Sequence, residues 1–246
     1  PEIRNSGSVL AITDFDKDGD QDIFRGGRVI PTQFPKPGIS RLLIRENARY
    51  IDNTDRISPD LREIGMVTDA VWADLDNDTW EDLVVVGELM EISIFKNIKG
   101  KLQKVDFGKG TEGLWRCVKA SDIDKDGDMD LILGNLGTNI SVKVSEDKPI
   151  KVYGGDFDNN SRWDAITTNY WDGIEYPVHA FDDLRRQMPS LRNNFQTFSA
   201  FANANISNIL SEDNIKQAIV KKALNTQSIV LLNQGNFKFT TVALPQ

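Results

Sequence analysis

One nine-residue acidic pattern occurs four times in this chain of 246 residues. Residues 14–22 read DFDKDGDQD, 74–82 DLDNDTWED, 122–130 DIDKDGDMD and 156–164 DFDNNSRWD. Each copy lies between two short apolar runs: VLAIT and IFRGG, AVWA and LVVVG, CVKAS and LILGN, KVYGG and AITTNY. Such runs, rich in β-branched residues and punctuated by glycine, are strand signals. Strand, acidic loop, strand, four times over, is an internal repeat, and that excludes most single-core architectures at once.

The acidity belongs to the loops. Of 37 acidic residues, 18 fall in the four nonapeptides, while outside them 19 acids face most of the 29 Lys and Arg. The formal net charge of −8 is therefore local, and nucleic acid, which demands clustered Lys and Arg, is excluded as a partner. Twelve Phe and five Trp are enough for a real core. No run approaches the ~18 apolar residues of a membrane span. The opening PEIRNSGS enters the first repeat within ten residues, so the chain reads as a piece of a longer protein.

Along the chain the unit is a meander of about four strands whose first two are joined by the acidic loop. The first unit adds a Pro-rich connection (VIPTQFPKPG), then SRLLIREN and ARYIDNTD; the second adds EISIFKN and KLQKVDF across an Asn97–Gly100 hairpin signal. The third has a compressed remainder around SVKVSEDK. Helical spacing follows the fourth loop: Ile215, Ala218, Ile219 and Lys222 fall at i, i+3, i+4 and i+7, and Ser211 makes a capped start. The segments SIVLLNQG and NFKFTTVAL then read as the third and fourth strands of unit four. Repeats starting 60, 48 and 34 residues apart predict an all-β β-propeller region spanning 1–246. Its blades fall at about 8–56, 57–108, 109–150 and 151–246, with a small α-helical insertion at about 180–225. Four blades close a small ring or, the favoured reading, form an arc of a larger propeller.

The loops are chemically explicit. Carboxylates at positions 1, 3, 5 and 9, with the backbone carbonyl of position 7, surround one hard cation. Ca²⁺ takes six to eight oxygens in flexible geometry, without nitrogen or sulfur. The ligand set is Asp14, Asp16, Asp18, Asp20 and Asp22 in loop one, and Asp74, Asp76, Asp78, Trp80 and Asp82 in loop two. It is Asp122, Asp124, Asp126, Asp128 and Asp130 in loop three, and Asp156, Asp158, Asn160, Arg162 and Asp164 in loop four. Packing these carboxylates together without a cation is costly. An EF-hand is excluded, since it needs Glu at position 12 and flanking helices. Position 12 is Arg25, Val85, Leu133 and Thr167. Position 6, where a left-handed backbone suits glycine, is Gly19 and Gly127 in loops one and three but Thr79 and Ser161 in the others. Four Ca²⁺ would bring the formal −8 close to neutral.

These loops and flanks resemble FG-GAP/VCBS repeats, the calcium-binding blades of integrin α-subunit propellers and many bacterial surface proteins. GMVTDAVWADLDNDTWEDLVVVGE, the GNLGTN turn and the segment EYPVHAFDDLRRQMP resemble, more narrowly, bacterial proteins of the VCBS/ASPIC-UnbV type. The resemblance implies secretion or cell-surface anchoring and a binding or scaffold role toward a protein or glycan partner.

Catalytic signatures are sparse. His179 is the single histidine, in EYPVHAFDD, and reads as an ordinary loop histidine, although Asp182 or Asp183 could pair with it; no G-x-S-x-G accompanies it. Of the tryptophans, Trp72 and Trp115 sit in strand runs and read as core, whereas Trp80 and Trp163 lie in loops and are candidates for exposure. Trp171 is a further ring able to stack on sugar. Phe195, Phe198 and Phe201 form an aromatic run in the helical segment, read either as packing or as a docking surface. The lone Cys117 reads as a small buried thiol. A carbohydrate-active lyase or hydrolase with its site on the propeller face is the alternative reading.

Overall fold

The computed structural model describes residues 5–140 and 142–244. It is mostly β, in four antiparallel sheets with a few short helices. Sheet one is a meander of β1 (Gly7–Thr13), β2 (Asp22–Gly27), β3 (Arg41–Glu46) and β4 (Arg49–Asp52), followed by the single turn α1 (Thr54–Ile57). Sheet two repeats it with β5 (Met66–Ala73), β6 (Asp82–Met90), β7 (Ser93–Asn97) and β8 (Leu102–Lys104), and the short β9 (Gly113–Leu114) adds to the far end of β6.

Sheet three begins with β10 (Cys117–Ser121) and β11 (Asp130–Gly134), but its outer strands are β16 (Ile229–Asn233) and β17 (Phe239–Ala243), nearly a hundred residues downstream. This corrects the sequence reading in two places. SIVLLNQG and NFKFTTVAL complete the third unit, not the fourth, and the stretch at 142–149 contributes no strand to it. Ser141, at the head of SVKVSEDK, lies outside the described residues. The register explains the choice: Leu131 faces Leu231 and Leu133 faces Ile229, putting four core aliphatics on one face.

The fourth sheet is therefore an insertion between β11 and β16. It comprises β12 (Ile150–Gly155), β13 (Asp164–Trp171) and β14 (Ile174–Pro177), closed on the other edge of β12 by β15 (Ile219–Ala223), in the order β14-β13-β12-β15. Five short helices separate β14 from β15: α2 (Phe181–Gln187), α3 (Leu191–Asn194), α4 (Phe198–Ala202), α5 (Ile206–Ile209) and α6 (Glu212–Gln217). The Ser211 cap is present, accepting from the Asn214 amide. The helical periodicity through Lys222 is not realised. The chain leaves α6 at Ala218, and Ile219 and Val220, β-branched residues suited to an extended backbone, pair with Gly154 and Tyr153. The insertion enters and leaves at one place, where the Gly137 amide donates to the Thr226 carbonyl at 2.7 Å.

Sheets one to three stand in sequence, β1 against β5 and β5 against β10. One core fills the first joint (Phe24, Leu42, Trp72, Leu83, Val85, Phe95) and a second fills the next (Val84, Ile94, Trp115, Val118, Leu131, Leu231). Trp72 and Trp115 are core, as read. Cys117 is exposed instead of buried, because on β10 the alternation sends Val118 into the joint and Cys117 to the free face. The fourth sheet carries its own core with the helices (Tyr153, Ile166, Phe181, Leu184, Phe201) and meets sheet two through Val152 and Ala223 on Met66 and Leu89. Those residues lie at the end of sheet two remote from its acidic loop. Within the helical segment Phe181 stacks on Phe201 at 4.8 Å and meets Phe195 and Phe198 edge-on; Phe201 is buried and Phe198 is exposed. The aromatic run is mainly packing.

Candidate metal centres

The four loops share one hydrogen-bond frame. The position-2 amide donates to the position-9 carboxylate: Phe15 to Asp22, Leu75 to Asp82, Ile123 to Asp130 and Phe157 to Asp164, at 2.8–3.2 Å. The position-6 amide donates to position 1, from Gly19, Thr79, Gly127 and Ser161 to Asp14, Asp74, Asp122 and Asp156. The position-7 amide donates to position 5, from Asp20, Trp80, Asp128 and Arg162 to Asp18, Asp78, Asp126 and Asn160. These bonds require a left-handed backbone at position 6 in every copy, including Thr79 (φ 75°) and Ser161 (φ 64°), where a side chain makes that conformation strained. Position 4 is left-handed as well, at Lys17, Asn77, Lys125 and Asn159, which sequence pattern alone did not reveal.

The frame aims carboxylates at one point. Asp14, Asp16 and Asp18 bring oxygens within 4.8 Å of one another, as do Asp74, Asp76 and Asp82; Asp122, Asp124 and Asp130; and Asp156, Asp158 and Asp164. Several of these oxygens are buried without a hydrogen-bond partner: Oδ1 of Asp14, Asp16, Asp76, Asp122, Asp158 and Asp164, at least one in each loop. Burial, reinforced by Asp76 and Asp78, pushes the Asp82 carboxyl up to about 7, and burial raises Asp164 to about 6. Buried, unpartnered, mutually repelling carboxylate oxygens are what a hard cation neutralises. The donor set fits Ca²⁺.

Position 9 has a second task. In the first three loops its other oxygen accepts an amide from the third strand of the same sheet: Arg45 to Asp22, Asn97 to Asp82 and Asn233 to Asp130, each at 2.8 Å. The carboxylate thus ties loop, second strand and third strand together. The Asn233 bond is also the local reason that β16 belongs to sheet three.

An asparagine amide donates to the position-2 carbonyl in three loops: Asn97 to Phe15, Asn233 to Leu75 and Asn214 to Phe157, at 2.7–2.9 Å. The first two clamp one sheet onto the loop of the sheet before it; the third comes from α6. Neighbouring loops also touch directly, Lys17 donating to Thr79 at 3.0 Å and Asn77 to Asp128 at 2.6 Å. Loops one to three therefore form a row. Loop four sits apart, with Trp163 donating to the Phe34 carbonyl in the β2–β3 connection of sheet one.

Loop two holds a group that sequence reasoning missed. The Lys96 ammonium contacts Asp76 and lies 3.2 Å from Asp78. An entering cation has to displace it. Lys96 lies on β7, fourteen residues after the loop, at a position where β3 has Ile44 and β16 has Leu232; comparison of the third strands is the signal that finds it.

Residues 52–133 match a family model described as an FG-GAP-like repeat. This part of the chain is similar to an FG-GAP-like repeat. The match spans the second and third acidic loops with their flanking strands, and the same hydrogen-bond frame recurs at 14–22 and 156–164, outside the match. FG-GAP repeats commonly bind calcium, and the propeller-like architecture agrees with the four antiparallel sheets. The match carries nothing of the narrower VCBS/ASPIC-UnbV likeness. No curated protein sequence matches the chain significantly. No helix among the described residues is long and apolar enough to cross a membrane.

A second polar cluster lies on the helix-facing side of the fourth sheet. Glu175 accepts from Lys151 (2.8 Å), Tyr170 (3.1 Å), Tyr153 (2.9 Å) and Thr168 (2.6 Å). Burial alone would raise the Glu175 carboxyl, but these bonds, Lys151 first, hold it below the ordinary glutamate value. Lys151 is raised by Glu175 and Tyr170 against its own burial, and burial beside Glu175 pushes Tyr153 up to about 12. Lys151, Tyr153, Thr168 and Tyr170 all bond Glu175, which makes the cluster a satisfied structural network.

Proposed function

We propose that this chain is a calcium-stabilised propeller module of a secreted or cell-surface bacterial protein, acting in binding and scaffolding of a protein or glycan partner. The observation that carries it is the same carboxylate cage built four times, each with buried oxygens left for a cation. The proposed ligands are those named from the sequence, with positions 1, 3 and 9 drawn together in loops two to four and 1, 3 and 5 in loop one. Each ion ties the first two strands of a sheet, so its binding energy adds to folding. Extracellular modules of this type work with Kd on the order of 10⁻⁴–10⁻³ M. Calcium titration followed by thermal shift is expected to give midpoints in that range. Sub-micromolar midpoints at every loop would contradict an extracellular setting.

The row of three sheets is proposed to be part of a larger propeller. Trp72 and Leu83 of sheet two, and Ala120 and Leu131 of sheet three, cover the preceding sheet; the matching residues of sheet one, Ile12 and Ile23, face outward, with Ile12 57% and Leu10 62% exposed. At the other end Ile123 is 41% exposed, where its counterparts Phe15 and Leu75 are 1% exposed under the next sheet. A further blade at each end would cover both. Ile12→Asp is expected to leave this chain's melting temperature nearly unchanged, and to lower that of a longer protein with an adjoining blade by several degrees. No effect in the longer protein would count against the arc.

A further inference from the structure

A hollow of about 420 Å³ lies where the β13–β14 hairpin meets α4 and α5, lined by Trp171, Tyr176, Pro177, His179, Phe201 and two alanines. No acidic loop contributes to it, and its volume is that of a small-molecule site. Trp171 precedes the Asp172–Gly173 turn, both of whose residues have positive φ, and the hairpin holds its indole 75% exposed. A tryptophan left in water on a rigid hairpin is unusual, since its ring would gain by burial. The same indole borders a second hollow of about 480 Å³ lined with Lys143, Lys148, Asn169, Tyr170 and Asp172, so it stands as a ridge between two recesses, only the second of which is charged.

The first hollow carries no charged side chain, so neither a phosphate nor a carboxylate ligand finds a counter-charge there, and one imidazole cannot hold a metal ion. His179 accepts the Thr167 amide on Nε2 at 3.0 Å, leaving Nδ1–H as the ring's remaining donor; burial lowers its pKa, so it is neutral at physiological pH. Flat aromatic faces with one neutral donor and a tyrosine hydroxyl suit a ring that has an apolar face and hydroxyl groups at its edge.

Resting on the reading of the chain as a binding module, we propose that the hollow between the β13–β14 hairpin and the helical insertion binds an uncharged glycan, one pyranose stacking on Trp171. Saturation-transfer NMR with xylohexaose, cellohexaose and mannohexaose as probes tests it on the calcium-loaded chain. The expected result is transfer to the sugar ring protons from at least one probe, lost in Trp171→Ala and partly kept in Trp171→Phe. Trp171 is exposed, so both variants should retain the wild-type melting curve and its response to EDTA. Those controls separate a failed pocket from a failed calcium module. No transfer from any of the three probes, or transfer that survives Trp171→Ala, overturns the assignment.

Discussion

EDTA is expected to lower the melting temperature of this protein by roughly 5–10 °C for each calcium ion it removes. The size follows from linkage. A site with Kd of about 10⁻⁴ M in about 10 mM calcium is filled at a hundred times its Kd, which contributes about 2.7 kcal/mol to folding. For a domain of this size each kcal/mol corresponds to about 2–4 °C. The ions stabilise by mass action, and they also relieve buried like charge that the apoprotein must carry. Asp82 and Asp164, raised to about 7 and about 6 chiefly by burial, mark where holding a carboxylate charge costs the apoprotein most. Loops one to three are expected to respond together, because Asn97 and Asn233 and the Lys17 and Asn77 side chains link them, whereas loop four rests on the helices and on the β2–β3 connection. A melting curve in EDTA identical to that in millimolar calcium would remove the stabilising role of the metal.

The second large effect concerns connectivity. Replacing residues 138–225 by a short Gly-Ser linker is expected to leave a folded three-sheet protein with its first three loops intact. The Gly137–Thr226 hydrogen bond shows that a few residues can bridge the gap, and β11 and β16 remain paired. The deletion uncovers Met66 and Leu89, at a cost of roughly 1.5–3 kcal/mol for each side chain fully re-exposed, so the product is expected to be less stable but cooperative. Removing only residues 227–244 is expected to be far worse. It strips β16 and β17 from sheet three, exposes Trp115, Leu131 and Leu133, and takes away Asn233, which bonds Asp130 and the Leu75 carbonyl at once. Circular dichroism and calcium-dependent melting of the two truncations distinguish the topologies. If the shorter truncation were the milder one, the interleaved order of sheets three and four would be wrong.

These two results also mark what was legible in the residues. The loops were, because a cation cage needs carboxylates at alternate positions and the pattern recurs with the same strand flanks. The strands beside them were legible through period-two alternation and glycine punctuation. Strand partnership across a long insertion was not. SIVLLNQG carries the same local signals whether it pairs with β11 or β13, and only the match of Leu231 and Ile229 to Leu131 and Leu133, with Asn233 reaching Asp130, decides it. Helix and strand were confused at Ile219–Ala223 for a related reason: the spacing of Ile215, Ala218 and Ile219 fits a helix, but the open edge of β12 offers five backbone partners that a helix cannot use. Lys96 escaped notice because it acts through a place in space, beside loop two, that no local motif announces; Trp171 was legible as a ring able to stack on sugar, but not its place at a hairpin tip beside a hollow.

The central claim is that each of the four loops holds one calcium ion, and counting ions tests it most directly. Native mass spectrometry of the chain in millimolar calcium should show four bound Ca²⁺, and on dilution the ion of loop two, opposed by Lys96, should leave first, its loss suppressed in Lys96→Gln. A chain that carries no calcium under these conditions would contradict the account.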